Sequence, residues 1–233
     1  MKFNNAMFLF PACVIVVTSS VGARAATVPF TESFDAGSAD WFDASGGSPL
    51  SWNPAGGEDG AFASSTFNFV GSAEGDTPVL FRAQDEFGAA GSSGGAFIGD
   101  WISDGVTTFS AFVRHDANVP LTIFTRFSSP FNFPGAVAIQ FAPVSPDTWT
   151  EITVPIDANN PQFVTFEGTD FGTVFGNIGH VQIGVSVPAE LAGVDQAFTF
   201  GVDTASIVPE PATASLLLIS TLGVWMRRRI HHR

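Results

Sequence analysis

Tyrosine is missing from this 233-residue chain, cysteine occurs once, at Cys13, and lysine once, at Lys2. A single cysteine leaves no intramolecular disulfide, and Cys13 sits in an apolar N-terminal run that reads as the filler of a secretion signal, so no thiol chemistry is expected in the body of the chain. Basic residues are few and unevenly placed. Between residues 26 and 208 there are three arginines, Arg82, Arg114 and Arg126, against 21 acidic residues, a formal charge of −18. Such a surface repels phosphate backbones, and without a basic cluster nothing drives counterion release, so nucleic acid is excluded as a partner. The sequence also lacks the His-Glu-x-x-His pattern. His115 and His180 have no partner at ligand or dyad spacing, and the glycines of 91–95 have no lysine or arginine to make them a phosphate cradle.

What the chain has in quantity is phenylalanine, 25 of them, in runs that alternate with polar residues. Residues 107–114 and 121–127 read as two adjacent strands joined by a turn over 115–120. Further strands are expected over 28–34, 50–53, 61–70, 79–83, 96–101, 136–141, 149–155, 181–187 and 197–207. Clusters of Gly, Pro, Asn, Asp and Ser separate them, and one helical turn is expected near 170–178. About eleven short strands without a long amphipathic helix predict an all-β fold, a two-sheet jelly-roll β-sandwich over residues 26–205.

The two ends read differently. Lys2, the apolar run from Ala6 to Val17 and the small residues Ala23 and Ala25 predict a signal peptide over 1–25, cut by signal peptidase after Ala25. At the other end, residues 206–211 read as a linker closing on Pro209, Glu210 and Pro211. An uncharged span follows over 212–226, and then a basic tail over 227–233 that opens with Arg227, Arg228 and Arg229. The prolines keep their segment extended. The arginines hold the terminus on the cytoplasmic side, which leaves the domain outside. The span, at ~1.5 Å per residue, reaches ~22 Å against a hydrocarbon core of ~30 Å, a length suited to a transient inner-membrane helix.

This tripartite tail resembles the PEP-CTERM sorting signal of Gram-negative bacteria. The resemblance implies exosortase as a partner, brief residence in the inner membrane and delivery to the cell surface or the extracellular space, with exopolysaccharide a further partner. Phe34-Asp35 with Trp41, Leu50-Ser51-Trp52, the run from Phe97 to Trp101 and the ending from Phe198 to Ile207 resemble the galactose-binding-like and laminin-B-like jelly rolls. That second resemblance implies a structural calcium held by Glu32, Asp35 and Asp203, oxygen ligands of the kind calcium takes. No other cofactor is expected.

These observations favour a non-enzymatic surface or extracellular-matrix protein whose jelly roll serves adhesion or matrix structure. Two alternatives stay open, a calcium-dependent carbohydrate-binding module and a glycan hydrolase built on two facing carboxylates. The tryptophans 41, 52, 101 and 149 are expected to complete the core. Trp41 and Trp52 are nevertheless the candidates for ligand stacking. Phe131 and Phe133, in a loop broken by two prolines, either pack across the mouth of the sandwich or form an exposed contact patch.

Overall fold

The computed structural model describes residues 25–84 and 91–209. The signal segment up to residue 24, Glu210 and Pro211, the span over 212–226 and the arginines at 227–229 lie outside the described residues. Among the described residues no helix is long and apolar enough to cross a membrane.

Eleven strands form in chain order: β1 (Phe30–Glu32), β2 (Ser51–Asn53), β3 (Phe62–Asn68), β4 (Val79–Gln84), β5 (Val106–His115), β6 (Thr122–Ser128), β7 (Gly135–Ile139), β8 (Thr150–Pro155), β9 (Phe163–Thr165), β10 (His180–Ser186) and β11 (Ala197–Pro209). Among the described residues one short α-helix, α1 (Phe171–Phe175), lies before β10, and Asp170 caps it by accepting from the Thr173 N–H. The strands make two antiparallel sheets. The first runs β2-β3-β11-β5-β8, with β1 also on β11, and the second runs β4-β10-β6-β7-β9. β3 and β1 share one edge of β11, opposite residues 197–202 and 205–207 respectively. Between them β11 bulges, with Thr204 at φ 46°.

Alternation explains the layering. β5 turns Phe109, Ala111, Val113 and His115 into the core and Ser110, Phe112 and Arg114 outward. Aromatic rings fill the interior, some edge to face, some tilted and the Trp101–Phe109 pair stacked. Trp101 lies against Phe109, Phe127 and Phe175 at centroid separations of 6.5, 5.3 and 6.0 Å, and Trp41 meets Phe34 and Phe97 at 5.5 and 5.7 Å. Because phenylalanine has no hydroxyl, this core asks for few buried hydrogen bonds. Its two deepest indoles each find one, Trp41 Nε1 to Ser93 Oγ at 2.8 Å and Trp101 Nε1 to the Phe97 carbonyl at 2.8 Å.

Several expectations need correction. Residues 107–114 and 121–127 are strands, but they are not neighbours in one sheet. β5 pairs with β11 and β8, whereas β6 pairs with β10 and β7. The segment between them crosses from sheet to sheet and buries Ala117 and Leu121 on the way. The stretch 96–101 is not a strand. Residues 96–99 are all buried, without alternation, the Ala96 and Ile98 N–H groups bond back to the Ser93 and Gly95 carbonyls in turns, and only Gly99 makes a bridge, to Ile178. β9 was not expected, since three residues between turns carry too little pattern to read. The linker expected over 206–211 is strand as far as Pro209. Ile207 is buried, Ser206 Oγ lies 3.0 Å from Ser110 Oγ, and Pro209 pairs with Val106 at the strand end, where its missing N–H costs least.

The strand directions set what lies at each end. β5 runs from Val106 to His115, the chain crosses to the second sheet, and β6 runs back to Ser128. The loop 129–134 therefore lies at the end where β11 finishes, since Pro209 faces Val106. Thr199 and Phe200, beside Asp116 and His115, lie at the other end.

Candidate functional site

On the outer face of the first sheet, toward the end remote from Pro209, three strands surround a recess of about 290 Å³. Phe62, Arg114, Asp116, Asp147, Thr199 and Gly201 line it. Gly201 makes this hollow. It sits between Arg114 on β5 and Ser64 on β3, and a Cβ there would come within 2.7 Å of Trp149 Cη2 and 3.2 Å of the Phe62 ring. In the space a side chain would have used, the Trp149 indole lies over the sheet, edge to face with Phe62 at 5.3 Å. Trp149 Nε1 donates to the Gly56 carbonyl at 2.9 Å, which fixes the plane of the ring.

The polar wall is equally organised. Arg114 Nη2 donates to Asp147 Oδ1 at 2.9 Å, and Asp147 holds a left-handed backbone (φ 56°) with its N–H on the His115 carbonyl at 2.7 Å. A non-glycine residue kept in that region is strain of the kind found at functional sites. Asp116 Oδ1 accepts from the Thr199 N–H at 2.7 Å. Both side chains of the Arg114–Asp147 pair stay open to water, at 37% and 65% exposure, so this exposed pair adds little stability. It presents planar donors and acceptors at the rim.

Beneath the recess, His115 is buried against Phe200, and its Nε2 lies 3.0 Å from the Val144 carbonyl. A carbonyl only accepts, so Nε2 carries the proton. Burial pushes this imidazole below the usual histidine range, against the opposing pull of the Val144 and Ala117 backbone and of the carboxylates of Asp116 and Asp147. Between the unfolded value of about 6.5 and the lower folded value, the unfolded chain binds more protons, so stability falls as pH falls through that window. His115→Gln is expected to flatten this slope. Urea midpoints at successive pH values between about 7.5 and 5 would measure it.

A second constellation occupies the second sheet. Arg126 donates from Nε and Nη2 to the two oxygens of Glu167 at 2.6 and 2.7 Å, from Nη1 to Asn132 Oδ1 at 2.6 Å and Gln182 Oε1 at 3.1 Å, and from Nη2 to the Asn132 carbonyl at 2.8 Å. The guanidinium is thus used up by the protein itself, and its hydrogen bonds hold the Glu167 carboxyl below the ordinary range. It pins the loop 129–134, in which Phe131 and Phe133 project into solvent at 88% and 64% exposure. Of the two arrangements open to them, the exposed one is found.

Trp41 is wholly buried, with Phe34 and Phe97 packed against it at steep ring angles, which corrects its candidacy for ligand stacking. Trp52 is 44% exposed on β2, with Nε1 donating to the Phe34 carbonyl at 2.7 Å. The three acids expected to hold calcium are each engaged by donors. Glu32 Oε1 accepts from the Phe34 N–H at 3.0 Å and Asp35 Oδ2 from Ser33 Oγ at 2.7 Å. Buried Asp203 accepts from the N–H groups of Glu58 at 2.8 Å and Thr204 at 2.7 Å. Gly57 permits this closure, since a Cβ there would lie 2.5 Å from Asp203 Oδ2. Calcium takes six to eight oxygens, and among the described residues no three His, Cys, Asp or Glu side chains converge as a metal site. Ala23, Glu210, Pro211 and the arginines at 227–229 lie outside the described residues, while Ala25 is exposed and Pro209 ends β11.

Sequence reading missed the recess because its parts come from four separate stretches: Phe62, Arg114 with Asp116, Asp147 with Trp149, and Thr199 with Gly201. The one local signal was a glycine inside the alternating closing strand, a mark of close approach by another group.

No family model matches the chain, and no curated protein matches it. Solved structures do. The chain is similar to the family 11 carbohydrate-binding module of the cellulosomal cellulase Lic26A-Cel5E of Clostridium thermocellum, at 14% identity over 79% of this chain and 96% of that one, with a TM-score of 0.43. It is similar to the CBM22-1 xylan-binding domain of Paenibacillus barcinonensis Xyn10C, at 11% identity over 80% and 100%, with a TM-score of 0.42. It is also similar to the K2 cleaved adhesin domain of Lys-gingipain, at 15% identity over 78% and 99%, with a TM-score of 0.40.

Proposed function

We propose that this chain is an exported, non-catalytic β-sandwich that binds a neutral glycan residue in the recess between Phe62, Arg114 and Asp147. The recess itself supports this reading. A sugar ring has apolar C–H faces and a girdle of hydroxyls, and here an aromatic wall adjoins a guanidinium and two carboxylates in a hollow with room for a sugar residue. Two carboxylates without a second free cation disfavour an anionic ligand.

Binding is favoured over hydrolysis. A general acid needs a carboxyl kept protonated by apolar surroundings, whereas Asp116 accepts a backbone N–H and Asp147 is paired with Arg114, both at the exposed rim. The delivery route rests on sequence: the predicted signal peptide over 1–25, and the PEP-CTERM-like tail that would make the protein an exosortase substrate, held briefly in the inner membrane and then moved to the surface and its exopolysaccharide.

Affinity electrophoresis of the full chain through gels containing soluble neutral polysaccharides tests the reading. Retardation by at least one of them is expected, with Arg114→Ala and Trp149→Ala each weakening binding by about tenfold or more, the equivalent of ~1.4 kcal/mol. Unretarded migration in every gel, or variants that migrate like the parent, would refute it.

A further inference from the structure

The recess accounts for one end of the sandwich, and the opposite end carries an unassigned feature of another kind. Phe131 and Phe133 are the two most exposed large apolar side chains among the described residues, and their exposure is enforced. Phe131 and Asn132 both hold left-handed backbone, φ 66° and 61°. A bulky residue adopts that conformation only where its surroundings over-determine it. Here they do. Asn132 is fixed through its carbonyl and its side chain to Arg126, and through its side chain also to Gln182 Nε2 at 2.9 Å and Ser128 Oγ at 3.1 Å. The Ser129 N–H closes the loop on the Pro134 carbonyl at 2.9 Å. The rings are therefore held outward by the scaffold, with no freedom to fold back on it.

The same end is where the chain leaves the sandwich. Pro209 pairs with Val106 there, and it lines, with Phe171 and the half-exposed Ile102, a largely apolar recess of about 410 Å³. Three residues beyond Pro209 begins the uncharged run 212–226, which the sequence reads as a membrane span. A domain tethered by that run cannot lift this end far from the bilayer, because the intervening residues reach only ~3.3–3.6 Å each.

We infer that the loop 129–134 is a membrane-contact surface, with Phe131 and Phe133 seated in the interfacial layer of a zwitterionic bilayer while the domain is tethered. Aromatic rings favour that layer. The lipid is neutral because Asp100, Asp104, Asp157 and Asp170 flank this end and would repel anionic head groups. Seated in this way, the two rings and the tail make separate attachments that fix the orientation of the sandwich, and the glycan recess then faces away from the membrane. The inference rests on the tether belonging to the proposed function and is independent of glycan binding.

The test uses the full chain with Cys13→Ser and a single new cysteine, Phe133→Cys or, as control at the far end, Asn118→Cys. Each is labelled with a nitrobenzoxadiazole fluorophore and reconstituted in phosphatidylcholine vesicles containing a spin-labelled phosphatidylcholine. Both positions are exposed, so neither substitution threatens the fold. Quenching several-fold stronger at 133 than at 118 is expected. A chain that floats with the vesicles while position 133 quenches no more than 118 overturns the contact surface alone, and a protein or polysaccharide partner would then be the occupant of the loop. A chain that does not float overturns the tether and the contact surface together.

Discussion

Trp101→Ala is expected to remove about 3–5 kcal/mol of folding stability, and so to lower the melting temperature by roughly 6–20 °C in a domain of this size. Trp101 joins the layers: its indole touches Phe109 of the first sheet, Phe127 of the second and Phe175 of α1. Its backbone N–H bonds the Phe175 carbonyl at 2.9 Å, and its carbonyl receives the Val106 N–H at 2.9 Å. Truncation therefore leaves a hole among rings that are themselves interlocked. It also strips the Phe97 carbonyl of its indole donor, and an unpaired buried acceptor costs about 1–3 kcal/mol on its own. Trp101→Phe separates these contributions, because it keeps most of the volume and loses only the hydrogen bond. A loss of about 1–2 kcal/mol is expected for it. Urea midpoints of the two variants would check the ordering, and equal losses would mean that the hydrogen bond and not the packing dominates.

The residues that build this core were largely legible in the sequence, because a strand with one buried face writes its orientation as alternation. β5, β6, β8, β10 and β11 all appear within a residue or two of where their alternation places them. Alternation says which face a residue takes and nothing about which strand lies beside it. That is why β5 and β6 read as a hairpin when Ala117 and Leu121 in fact carry the chain from one sheet to the other. The same limit hid the recess. Arg114 reads as an ordinary outward residue of β5, and nothing local says that it faces Gly201 across the ladder or that the Trp149 ring, from just before β8, covers the gap. Phe131 and Phe133 stood out because prolines on either side broke the pattern. Their exposure depends on Arg126, a contact made across the loop that spacing does not encode.

Arg126→Met should therefore have consequences at one end of the molecule only. The substitution keeps the aliphatic stem and deletes a guanidinium that donates to Glu167, Asn132 and Gln182. The Arg126–Glu167 pair is mostly shielded, with 14% and 23% of the two side chains exposed, so its loss leaves a carboxylate without its cation in a partly dry site. A cost of about 2–3 kcal/mol is expected, below that of breaking a fully buried pair because water reaches the site. The pH dependence gives a sharper signature. The hydrogen bonds and charge of Arg126 hold the folded Glu167 carboxyl below its unfolded value of about 4.5. Its contribution to stability is then fully present above that value and is lost as pH falls through the folded value. In Arg126→Met that increment is absent at all pH values, so the variant should lie furthest below the parent near neutrality and converge on it in acid. With its anchor gone, the backbone of Phe131 has no reason to remain at φ 66°, and the loop should become the first site of proteolytic cleavage. The glycan recess, on the other sheet and at the other end, should bind as before. Loss of glycan binding in a folded Arg126→Met protein would show that the two ends are coupled, and the division of labour between a membrane-side loop and an outward-facing recess would fail with it.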